Sequence, residues 1–311
     1  GTMELDHVTV HALKGNALEL ICGTITIEDG EYTSDVGHAM EGYPENYDAI
    51  DLTITGGTYK SISTDYTVAR LGCYDGHKGS TIKIHGSTFI GGRLLWFHGA
   101  GAETLTIDDD TTFQSMGGTR DAVVVGDGQL FFNSGTIEVS GGSQRSALCT
   151  YEKGEAIVNG GTFKGAKCDI YEQNDDDRVS PDRVQLNHAN FDDKVCNVYL
   201  EKDLQIDVAQ SYTGQVTIEC KDPKDGRQLT KDTETNYQKD LNLTSANAGY
   251  LVGYKKTTDG KEYRCLSKEV GVTVSDPEGE VKAGDPAKFT VTLTHAGSTG
   301  TGILTFGDKN G

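Results

Sequence analysis

Tyrosines and carboxylates recur where short apolar runs end: Tyr74-Asp75, His98, Asp127, Tyr151-Glu152 and Tyr171-Glu172, with Tyr199 further on. Two chemistries use such residues. Aromatic rings stack on the faces of sugar rings while carboxylates accept hydrogen bonds from hydroxyls, which makes a binding strip. Alternatively, two acids of unlike pKa, set close together, protonate a glycosidic oxygen and activate its attacker. A third reading needs no ligand: the rings are stacking ladders and the acids are solvated turn residues. Alternation along the strands leaves the ring direction open, since Tyr151 shares the parity of Cys149 whereas Tyr171 is opposite in parity to Cys168.

A separate acidic run, Asp175, Asp176 and Asp177, lies in a polar insertion from Gln173 to Asp182. Hard cations such as calcium take several carboxylate oxygens, so these three are the candidate metal ligands. Against that reading, consecutive side chains point in different directions and the run lacks a D-x-D-x-D-G loop. A second polar insertion spans Asp35 to Asn46 and holds His38, Tyr43 and Pro44. No Ser-His-Asp order, phosphate-binding loop or zinc spacing stands out. His85 and His188 fall at strand-to-turn corners, where histidines are hydrogen-bonded or exposed rather than ligands. Trp96, in the apolar run Leu94 to Phe97, is expected in the core.

These residues ride on a repeat. Two apolar residues at i and i+2, then a large apolar residue five positions on, recur as Ile25, Ile27, Tyr32; Leu52, Ile54, Tyr59; Ile82, Ile84, Phe89; Leu105, Ile107, Phe113; Leu130, Phe132, Ile137; Ala156, Val158, Phe163; and Val184, Leu186, Phe191. The last members are 24 to 30 residues apart, and the five-residue offset becomes six only at Phe113. Period-2 alternation makes each repeat a set of short strands, separated by Gly-Gly, Asp-Gly and Asn-Ser-Gly turns. A further apolar stretch comes after each landmark, such as Leu94 to His98 and Ala147 to Tyr151. Three strands per turn of about 26 residues fit a parallel β-helix, in which every coil pairs with the coils above and below. The expected fold is therefore all-β: a right-handed parallel β-helix of about eight coils. A sandwich would place turns every 8 to 12 residues or so without a longer beat. A helical fold is excluded by the lack of 3.6-residue periodicity and by 40 glycines.

Composition narrows the function classes. The 311 residues carry a formal charge of −19 and a pI near 4.7. This argues against nucleic acid and anionic membrane surfaces as partners, because both are bound by Lys and Arg clusters that are missing here. No apolar run approaches membrane-spanning length, so no membrane insertion is expected in this segment. The seven cysteines include no C-x-x-C pair, which argues against a disulfide scaffold. Cys149, Cys168 and Cys196 fall in comparable apolar strands and read as a stacked interior ladder rather than a metal or redox site. Cys220 and Cys265 lie outside the coils, and their pairing is left open.

Three segments are expected: the β-helix over residues 1–203, a C-terminal β cap or small β domain over 204–268, and the start of an immunoglobulin-like module over 269–311. A cap is physically reasonable because a bare sheet edge invites aggregation. The last segment has strand-like runs, Val272 to Val274 and Phe289 to Leu293, but too few residues for a core of its own.

The repeated Gly56-Gly57-Thr58-Tyr59, Gly86-Ser87-Thr88-Phe89 and Gly160-Gly161-Thr162-Phe163 resemble parallel β-helix segments of bacterial surface proteins with pectate-lyase-like folds. Ser211 to Val216 and Gly249 to Tyr254 look like the tail of that group, and 269–311 is similar to bacterial immunoglobulin-like stalk repeats. The resemblance implies an extracellular, secreted or cell-surface, adhesin-like protein with neighbouring domains in a longer chain. Its expected partners are glycans or a host or surface protein, with no cofactor other than calcium. Enzymes of that fold act on polysaccharides with clustered carboxylates, or with calcium and an Arg or Lys base. Here Asp75-Gly76-His77-Lys78 and Phe97-His98-Gly99 only echo the hydrolase motifs, and Arg70, Arg93 and Arg120 are the sole candidate bases in coil register. The expected function is a non-catalytic, adhesin-like surface module. The alternatives are a β-helix polysaccharide lyase or glycoside hydrolase, and a structural spacer.

Overall fold

A computed structural model describes residues 1–42, 49–72, 79–99, 103–140, 146–173, 182–192, 196–235, 237–269, 272–274 and 291–293. The chain winds into a parallel β-solenoid of about eight turns with three parallel sheets. A representative coil contributes Thr81–His85 to the first sheet, Thr88–Gly91 to the second and Arg93–His98 to the third. The next contributes Thr104–Asp108, Thr112–Ser115 and Val123–Asp127, each pairing with its counterpart.

The repeat landmarks stack in register. Ile25, Leu52, Ile82, Leu105, Leu130, Ala156 and Val184 form one ladder of the first sheet, all buried. In the second sheet Tyr32, Tyr59, Phe89 and Phe113 stack with ring centroids 5.2, 4.9 and 4.9 Å apart. Equivalent positions on successive coils superimpose these rings, so burial and offset stacking reinforce one another. Burial drives the Tyr59 phenol far above its ordinary pKa, and the ring belongs to the core. A glycine of positive φ serves the corner before Thr58, Thr136 and Thr162. Gly161 has φ +94°, and a Cβ there would lie 2.4 Å from Phe132 Cε1.

The parallel ladders run on beyond Asp203. Gln205–Val208 pairs with Asp182–Leu186, Val216–Cys220 with Val198–Leu200, and Leu243–Ser245 with Val216–Cys220. An antiparallel hairpin, Tyr250–Lys256 with Glu262–Lys268, comes next. Arg264 Nη1 binds it to the 3-10 turn Gln238–Asp240 by donating to the carbonyls of Gln238 (2.9 Å), Lys239 (3.1 Å) and Leu241 (3.3 Å). In the last segment Val272–Val274 pairs antiparallel with Val291–Leu293. No helix among the described residues is long and apolar enough to cross a membrane.

The third sheet departs from simple alternation. Leu94 and Leu95 both donate their N–H to the Ala122 carbonyl, at 2.8 and 3.1 Å, and Asp169 and Ile170 both donate to Asn197, at 3.1 and 2.8 Å. Two successive residues therefore turn inward at the start of these strands, and every later side chain changes face.

Candidate functional site

That shift brings a set of large side chains to the outer face of the third sheet. Arg70, Trp96, Val124, Cys149, Tyr171, Tyr199 and Glu219 succeed one another in register there. Val124, Cys149, Cys168, Tyr171 and Cys196 are buried in a cluster separate from the main core, against half-buried Trp96, Tyr151 and Tyr199. Trp96 is thus not a core residue as expected. The three cysteines are buried but form no interior ladder, since Cys149 pairs with Tyr171 and Cys168 with Ser146. Cys220 and Cys265 are separate free thiols.

Toward the earlier coils the strip is anchored by Arg70, whose guanidinium carbon sits 4.6 Å above the Trp96 ring while Nη1 ion-pairs with Glu41 at 2.8 Å. Trp96 lies 5.8 Å from the His98 ring, and His98 lies 6.2 Å from Tyr151 and 3.0 Å (Nε2) from Glu152 Oε2. Gly126 makes this approach feasible: a Cβ there would meet His98 Cδ2 at 2.5 Å and Tyr151 Cε1 at 2.6 Å. Burial raises the Tyr151 phenol above its ordinary pKa, with Trp96 hydrogen bonding acting the other way. Arg93, beside the same rings, is held below the ordinary guanidinium range by burial and then by Arg120.

Toward the later coils Tyr171 and Tyr199 meet edge to face at 5.4 Å, and the Lys167 ammonium rests 4.5 Å from the Tyr199 centroid. Tyr171 Oη donates to Glu201 Oε1 at 2.7 Å, where Lys221 Nζ also lies at 2.9 Å. These groups line an open cleft of about 270 Å³.

A second cleft, about 390 Å³, opens where the third sheet turns into the first. Glu103, Asp127 and Glu155 line it from three successive coils, with Lys153 between them. Glu103 and Asp127 are 1 % and 5 % exposed. Asp127 accepts the Gly128 N–H at 2.7 Å, yet burial pushes its carboxyl above the usual range; Gly128, Lys153 and His98 pull it down and Glu103 pushes it up.

The expected column of Tyr-acid pairs is accordingly divided. His98, Asp127, Tyr151 and Glu152 gather at one corner. Tyr171 belongs to the neighbouring aromatic cluster. Glu172 pairs with Thr150, is fully buried, and accepts the Val184 N–H at 3.0 Å, so its carboxylate serves the next coil instead of the surface. Tyr74 and Asp75 lie outside the described residues, as do the calcium candidates Asp175, Asp176 and Asp177. The groups that sequence reading missed are Glu103, Lys153, Glu155, Lys167, Glu201, Glu219 and Lys221. Apart from Glu155 and Glu219, which lie in strands, they sit in corners or just beyond strand ends, where no periodicity marks a side chain's direction.

Elsewhere, His85, Asp108 and Asp109 form the one group among the described residues with potential cation-ligand atoms within 4.8 Å of each other. His85 Nδ1 contacts the carboxylate of Asp108 and, at 3.2 Å, that of Asp109. No family model, curated protein or solved structure matches the chain.

Proposed function

We propose that this chain is a non-catalytic, extracellular surface module that holds a glycan along the outer face of its third sheet. The observation that carries this reading is the run of half-buried Trp96, Tyr151 and Tyr199 beside the carboxylates of Glu152 and Glu219. Coils rise by about 4.8 Å each, so an extended polymer running along the sheet passes Trp96, Tyr151 and Tyr199 in turn. Half-buried aromatics offer a rigid apolar face at small entropic cost, and the adjoining acids supply hydroxyl acceptors. The immunoglobulin-like continuation and a place on a bacterial surface belong to the same reading, as extensions of the sequence resemblance.

A second reading, a β-helix polysaccharide lyase or hydrolase, is favoured by one specific feature: the cleft holding Glu103, Asp127, Glu155 and Lys153. A carboxyl whose pKa is raised by burial, close to a second acid, is what glycosidic cleavage requires.

A glycan-array screen of the whole chain, with and without calcium, beside assays for reducing ends and unsaturated products, separates these. Binding without product supports the glycan-holding module. Product that disappears in Asp127→Asn supports the enzyme and overturns the first reading. Silence in both assays leaves a spacer or a protein-binding module and overturns both. Calcium-dependent binding would give Asp175 to Asp177 a role.

A further inference from the structure

Cys168 and Cys196 occupy the same place on consecutive coils. Each lies two residues before a paired position, Ile170 with Val198. Parallel neighbours in register are about 4.8 Å apart, inside the Cα separation that a disulfide spans. Both side chains point to the outer face of the third sheet, where the two thiols are hydrogen-bonded to each other. They are 1 % and 2 % exposed, yet Cys168 also lines the cleft of Lys167, Tyr171 and Tyr199, which opens to solvent. Cys149 is in the same cluster, but its thiol is directed to the Thr150 carbonyl (3.9 Å) and Gln173 Oε1 (4.0 Å).

We propose that Cys168 and Cys196 form a disulfide that staples two consecutive coils beneath the aromatic strip when the protein folds under oxidising conditions. The oxidant is a small-molecule disulfide. One thiolate attacks it, forming a mixed disulfide and releasing one small thiol; the second thiolate then displaces the other. Two protein thiols and one disulfide become one protein disulfide and two small thiols, and the two protons leave with the released thiols. Folding sets the timing. In the folded protein the hydrogen bond with Cys196, and then burial, raise the Cys168 thiol above its ordinary range, which leaves little thiolate to attack. The bond therefore closes as the coils dock, and exchange is slow afterwards. The staple closes a loop containing the strands Asp182–Leu186 and Asn190–Phe191, and so restricts the unfolded chain.

The test is refolding of the whole chain in a glutathione redox buffer, followed by alkylation in denaturant and a non-reducing digest. The expected result is one cross-linked peptide pair, two hydrogens lighter than its parts, carrying Cys168 and Cys196. The oxidised protein should melt roughly 5–10 °C above its reduced form. In Cys196→Ser that difference should vanish, and Cys168 should be recovered alkylated or capped by glutathione. Should the variant fail to fold, the digest of the unmodified chain still decides. Recovery of both cysteines alkylated from the oxidised protein, or of either one bridged to a different cysteine, would overturn the proposal.

Discussion

The Tyr171 hydroxyl donates to Glu201 Oε1 at 2.7 Å, joining coils thirty residues apart, while Lys221 reaches the same oxygen from the coil beyond. Tyr171 and Glu201 are only 4 % and 8 % exposed, so this bond fixes the Tyr171 ring against Tyr199 where water competes poorly. Replacing Tyr171 by Phe keeps the ring and removes the donor. The expected loss is about 1–3 kcal/mol of stability in urea denaturation, as for other bonds to charged groups. An unchanged midpoint would mean that Lys221 alone satisfies Glu201.

Trp96 and Tyr199 lie at opposite ends of the aromatic strip. If a glycan lies along it, Trp96→Ala and Tyr199→Ala should each weaken binding by about 10-fold or more, with circular dichroism unchanged. Lys167 covers part of the Tyr199 ring, so Lys167→Ala should affect binding less than removal of the ring itself. Calorimetric titration against an array-selected glycan checks the order. Affinities unchanged from the parent in both ring variants would remove the strip from consideration.

Asp127 gives a pH dependence with a definite sign. Its folded-state pKa lies above the unfolded value, so the native protein holds this proton more tightly than the unfolded chain does. Stability from this group is fully present below the unfolded pKa and is lost as pH rises through the raised folded value. Asp127→Asn cannot ionise, and its side-chain carbonyl can still accept the Gly128 N–H. The variant should therefore gain stability over the parent at pH 7, and the gain should shrink as pH falls through the raised folded value and be gone below the ordinary aspartate range. Thermal melts across pH 3 to 8 measure the difference, and a pH-independent gap would contradict the assignment.

Phe89 sits between Tyr59 and Phe113, 4.9 Å from each ring and fully buried. Phe89→Ala opens a gap on both sides and should cost about 3–5 kcal/mol, whereas Phe89→Leu should cost markedly less. Denaturant midpoints compare the two.

The sequence by itself determined the solenoid, because the same apolar residues return at nearly the same offsets on every coil. Ile25 and Ile27 above Leu52 and Ile54, or Tyr32 above Tyr59, are interior positions that alternation and repetition specify together. Only the tertiary structure decided the outer face of the third sheet. The doubled inward residues, Leu94 with Leu95 and Asp169 with Ile170, reverse the parity of the remainder of each strand. Trp96 therefore faces outward from an apolar run, and Cys149 pairs with Tyr171 instead of Cys168. The bulge arises where two successive N–H groups share one carbonyl of the next coil, a contact between coils that the alternation within one strand does not encode. The same holds for the clefts. Glu103, Asp127 and Lys153 are scattered along the chain and meet only because coil stacking superimposes the corners that carry them.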